Sequence, residues 1–108
     1  MNPDIKKFID FFHDAVIRIR KEKPKFVRGK DGNLVKNALK SFSRQYLEML
    51  TLWFLEKKQK VSPTIGAMLS SVMLEELKET IKKYSFWKDL DKIHEKYYKQ
   101  KYDFTKRK

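Results

Sequence analysis

The chain contains no cysteine, which excludes disulfides and thiolate metal sites and suits a reducing cytoplasm. Glycine and proline number only three each in 108 residues, and no Gly-rich phosphate loop, internal repeat or low-complexity tract appears. Gly29-Lys30-Asp31-Gly32 lacks both the spacing and the downstream Lys-Ser/Thr of a P-loop. Long apolar runs are also missing. None approaches the roughly 20 residues that cross a bilayer, and the opening MNPDIKK, followed by Asp10 and Asp14, does not read as a secretory signal. Histidine is scarce. His13 stands near Asp10 and Asp14, and His94 near Asp91 and Glu95, a spacing that serves a metal or a base far less often than a surface ion pair. With no nucleophile elbow and no paired acidic motif, the expectation is a protein with no catalytic residue, no cofactor and no metal.

Acidic residues are the last shortage: 14 Asp and Glu face 26 Lys and Arg, a formal charge of +12. Such an excess suits a polyanion, most simply DNA or RNA, whose condensed counterions Lys and Arg release. It equally suits a solvated basic surface, since only positions 18, 20, 28, 44 and 107 are Arg and a Lys skew also arises from proteome bias.

What is present is helical periodicity. Asn2 as N-cap, Pro3 and Asp4 open a helix whose Ile5, Phe8, Ile9, Phe12, Ala15, Val16 and Ile19 share one face, with Phe11 and Ile17 off it and an end near Lys21. Pro24 and two glycines then break KEKPKFVRGKDG. Asp31 is expected to cap a short helix to about Phe42, with Leu34, Val35, Ala38, Leu39 and Phe42 buried. Ser43 opens a third helix in which Tyr46, Leu47, Leu50, Trp53 and Phe54 face inward and Met49, Leu52 and Leu55 widen the arc almost all round. That breadth makes it the central helix. Lys57, Lys58 and Lys60 end it where the dipole favours cations. Ser62-Pro63 opens a fourth short helix in which Gly66 permits close packing. Ser70 or Ser71 caps a fifth through Val72, Met73, Leu74, Leu77, Ile81 and Tyr84, and Ser85 a last one with Phe86, Leu90, Ile93 and Tyr97 at heptad-like steps. No segment alternates like a strand. The fold class is all-α: one domain over residues 1–108, a single compact bundle of five to six helices, fraying at 103–108.

Two basic segments are candidates for binding. Residues 18–30 hold seven Lys or Arg (Arg18, Arg20, Lys21, Lys23, Lys25, Arg28, Lys30) against Glu22 alone. Phe26 within them either stacks on an unpaired base or partner, or tucks back with Val27 over the core as a loop anchor. Residues 92–108 hold seven more, including Lys92, Lys96, Lys99, Lys101, Lys106 and Arg107, interleaved with Tyr97, Tyr98, Tyr102 and Phe104. Aromatics among cations are what a single-strand surface needs, while a final amphipathic helix with a basic end needs nothing more. Trp87, Tyr98 and Tyr102 fall on a different side from Leu90 and Ile93, an aromatic edge for nucleic acid or a protein.

The stretch FIDFFHDAVIRIRKEKPKFVRGKDGNLVKNALKSFSRQYLEMLTLWFL, followed by SPTIGAMLSS, resembles a small helical module in phage and mobile-element replication proteins, a C-terminal partner of winged-helix or helicase-loader segments. Its opening FxxFFH, the KP before GKDG, LVKxxL, the L-xx-WF and PTIGxxLS carry the resemblance, over residues 5 to about 77. The departures are the basic segment 86–108 and the expected lack of a preceding DNA-binding domain. The resemblance implies a replication setting and transfers no catalytic residue. The expected function is thus a non-catalytic, cytoplasmic nucleic-acid-binding accessory protein, with DNA favoured and single strands possible. A replication protein such as a helicase is a further candidate partner, and no membrane is involved. The alternative is a helical adaptor or inhibitor that docks on a replication or defence enzyme through Phe26 and Trp87.

Overall fold

A computed structural model describes residues 2–27 and 29–106, with side chains as far as Lys99. It contains α1 (Pro3–Ala15), α2 (Lys30–Ala38), α3 (Arg44–Lys57), α4 (Ile65–Met68), α5 (Ser71–Thr80) and α6 (Tyr84–Lys106), with a π-helical turn, Val16–Arg20, continuing α1. No strand occurs among the described residues, and the bundle is all-α as expected.

Local chemistry sets most helix starts. Asn2, Ser43 and Ser70 each accept a backbone N–H of the first turn, from Asp4, Tyr46 and Met73. Two expected starts move. Thr64, not Ser62-Pro63, caps α4 by accepting from the Ala67 N–H. Asp31 lies inside α2 rather than ahead of it, because Gly29 takes the cap position at φ 83°, a conformation that disfavours a side chain. The Asp31 carboxylate instead reaches back to accept from the Val27 N–H at 2.9 Å, while its own N–H donates to the Val27 carbonyl. That pair of bonds pins the end of the 21–29 connection, and Asp31 is buried.

Helix α3 is the centre. Leu50 to Leu55 are all buried, and Thr51 is accommodated because its hydroxyl donates to the Leu47 carbonyl at 2.7 Å. On α3 pack α1, through Phe8 and Phe12, and α6, through Phe86, Leu90, Ile93 and Tyr97. The π turn fills in between α3 and α6, and α2 lies on α1 and α4. A methyl group at position 66 would meet only Leu34 Cδ1, at an ordinary 3.8 Å, so close packing does not require Gly66 as expected.

Four further expectations change. Helix α2 stops at Ala38, where bonds from Lys40 and Ser41 to carbonyls three residues back tighten the chain into a turn. Helix α5 stops at Thr80, short of Tyr84, which is 84% exposed, and Val72 in its first turn faces away from the core at 77% exposure. Helix α6 begins at Tyr84, ahead of Ser85. Phe11, read as off the core face, packs its ring 5.6 Å from Tyr97, whereas Ile17 does remain exposed.

Candidate functional site

Arginine 20 is absorbed by the fold. Its guanidinium donates to the carbonyls of Leu55 (2.5 Å), Lys58 (2.6 Å) and Val61 (3.0 Å), closing the last turn of α3 and the chain that leaves it. Helix ends carry carbonyls with no intrahelical partner, and a planar fork of five N–H donors suits them. Partial burial lowers its pKa from the ordinary value, though a guanidinium stays charged. These donors of Arg20 are therefore engaged by the fold. The physical reason is geometric: the π turn lays residue 20 across an end of α3 that is 35 residues away in the sequence.

Arg18 has an internal partner too, Asp14, at 3.0 Å. The same carboxylate accepts from the Tyr97 hydroxyl at 2.5 Å, which ties α1 to α6. Burial, and then the Asp14 hydrogen bond, push the Tyr97 phenol well above its usual pKa, so it stays a donor. Alongside lies a cavity of about 50 Å³ lined by Arg18, Lys21, Glu56, Lys96 and Tyr97 among others. The two basic segments, far apart in sequence, thus adjoin at one place. Lys96 makes a long ion pair with Glu56 (3.8 Å) and is otherwise well exposed. Lys21 ends the π turn in the left-handed conformation, at φ 57°. Lys23 and Lys25 are exposed on the connection that follows, Lys30 at the start of α2, and Lys92 and Lys99 on α6. On α6, residues 92, 96 and 99 follow four- and three-residue steps, one stripe about 10 Å long at 1.5 Å per residue. Arg28 and Arg107 lie outside the described residues, as do the side chains of Lys101, Tyr102 and Lys106.

The candidate aromatics are only partly available. Trp87 is 45% exposed, but its indole N–H donates to the Ile81 carbonyl at 2.9 Å, closing the corner between α5 and α6. Tyr98 is half-buried against Tyr97 and His94, with ring centroids 4.9 and 4.5 Å away. Phe26 packs edge-on against His13 at 5.4 Å, yet Phe26 and Val27 stay 45% and 53% exposed and neither packs against the buried core. Compared with known families, curated proteins and solved structures, the chain matches none.

The sequence did not point to one further concavity. Helices α1 and α2 and the 21–29 connection enclose an open groove of about 1000 Å³. Its lining includes Ile5, Ile9, Phe26 and Leu39, with Lys6, Asp10, Lys36 and Lys40 at the margin. His13 also lines it, and here the expected surface ion pair fails. Asp10 pairs with Lys6 and Asp14 with Arg18, and His13 Nε2 is buried with no hydrogen-bond partner among the described residues. Burial lowers the imidazole's pKa, outweighing the nearby carboxylates of Asp10 and Asp31. One feature foreshadowed the groove: Ile5, Ile9 and His13 recur every four residues, but periodicity alone does not tell a core stripe from a half-covered one. Among the described residues, no three His, Asp or Glu side chains are grouped as metal ligands are, and no helix is long and apolar enough to cross a membrane.

Proposed function

We propose that the chain binds nucleic acid without catalysing a reaction, on the face where the 21–29 connection adjoins the 92–99 stripe of α6. The observation that carries this reading is the shared cavity border of Arg18, Lys21 and Lys96, which joins two charge clusters into one field. Lys23, Lys25, Lys92 and Lys99 extend that field with no ion-pair partner among the described residues. Lysines of this kind act as hydrated point charges on phosphates and carry no sequence information. Because Tyr98 is already held between two rings, phosphate neutralisation outranks base stacking as the mechanism. DNA is the favoured ligand, single strands included. The resemblance over residues 5–77 supplies the setting, replication of a phage or mobile element beside a protein such as a helicase.

Fluorescence anisotropy with a labelled 20-nucleotide strand and its duplex tests the assignment. Lys21, Lys23 and Lys25 replaced together by Gln, or Lys92, Lys96 and Lys99 likewise, weaken binding by about tenfold or more at low salt. Replacing Lys78, Lys82 and Lys83, exposed around the end of α5, leaves it nearly unchanged. Equal losses in all three variants would mean diffuse attraction to a +12 chain and no binding face.

A further inference from the structure

We propose that the groove between α1 and α2 receives an acidic amphipathic helix of a partner protein, a role separate from the nucleic-acid face. The floor is apolar, formed by Ile5, Ile9 and Leu39, with Phe26 at one end. The rim is cationic. Lys6 is matched by Asp10 at 2.7 Å, but Lys36 on α2 and Lys40 in the turn that follows it have no ion-pair partner among the described residues. An apolar trough beneath unmatched cations is complementary to a helix whose apolar stripe is flanked by Asp or Glu.

Length agrees with that occupant. From Ile5 to His13 the groove follows α1 for about 12 Å at 1.5 Å per residue. That accepts a little over two turns, enough for anchors at i, i+4 and i+7. Other occupants fit less well. A second copy of this chain brings another +12 toward a lysine rim, and a nucleic-acid backbone finds no use for the apolar floor. A small anionic amphiphile matches the chemistry, but the open groove, at about 1000 Å³, stands at the upper limit of small-molecule sites.

The test titrates the full chain, ¹⁵N-labelled, with two synthetic 14-residue helices. Both carry Leu at i, i+4 and i+7; one has Glu on the flanks and the other Lys. The acidic peptide should bind and shift the amides of Ile5, Ile9, His13, Gly32 and Lys36, and the lysine peptide should not. Lys36→Glu with Lys40→Glu, both exposed and remote from the core, should weaken the acidic peptide at least about tenfold while leaving the spectrum folded. Three outcomes overturn the proposal: acidic and basic peptides binding alike, shifts that map to residues 92–99, or decanoate saturating the groove while neither peptide binds.

Discussion

Replacing Arg20 tests whether its guanidinium serves the fold or a ligand. It donates to three carbonyls within 3.0 Å, at the end of the most buried helix of the bundle. A hydrogen bond from a charged donor contributes about 1.5–3 kcal/mol when well buried. The site is partly exposed, so water recovers some of each bond in the variant. A net loss of about 2–4 kcal/mol for Arg20→Ala follows, against the roughly 5–15 kcal/mol that such a domain holds. For a chain of this size the melting temperature should drop by roughly 10–25 °C. Arg20→Lys retains the charge but not the planar fork, and should recover less than half of the loss. Urea and thermal unfolding followed by circular dichroism give both numbers, and anisotropy at a temperature where the variants are folded gives nucleic-acid affinity. The reasoning is refuted if Arg20→Lys is as stable as the parent. It is also refuted if Arg20→Ala loses less than about 1 kcal/mol yet binds nucleic acid tenfold more weakly, for then the guanidinium belongs to phosphates.

Three further outcomes are expected. Trp53→Ala, at 7% exposure and with its ring 5.6 Å from Phe86, should lose about 3–5 kcal/mol in urea unfolding; a loss under 1 would place the ring outside the core. Gly29→Ala has open space for its methyl group but needs φ 83°, so it should destabilise by about 1–3 kcal/mol through backbone strain; no change would mean that the turn relaxes freely. His13 has a folded pKa below the 6.5 of the unfolded chain, so below pH 6.5 the unfolded state binds more protons. Its contribution is complete above about pH 6.5 and is lost as pH falls through the folded value. His13→Leu should therefore gain stability relative to the parent between pH 7.5 and pH 5 in matched chemical denaturation, and a constant gap would contradict the burial of the imidazole.

What the sequence disclosed was local. The caps at Asn2, Ser43 and Ser70 each require only an acceptor two or three residues from a free N–H, and the unbroken burial from Leu50 to Leu55 is written as apolar breadth in α3. What it withheld depends on partners distant along the chain. Arg20 counted as a basic-cluster residue until the end of α3 was placed under it, and Asp14 looked like a partner for His13 until Tyr97, 83 residues away, took one of its oxygens. Charge counting also overstates availability. Lys57 pairs with Asp89, Lys58 with Glu76, and Arg44 with Asp4 and Glu48, none of which cluster counting weighs. The groove escaped because half-covered and fully covered stripes share one period.

The salt dependence of binding tests the central claim most directly. If the joined face neutralises four to six phosphates, log affinity of the unmodified chain for a 20-nucleotide strand or its duplex should fall against log salt with a slope of roughly −3 to −5. A slope near zero between 50 and 300 mM salt, or no measurable binding at the lowest concentration, would contradict it.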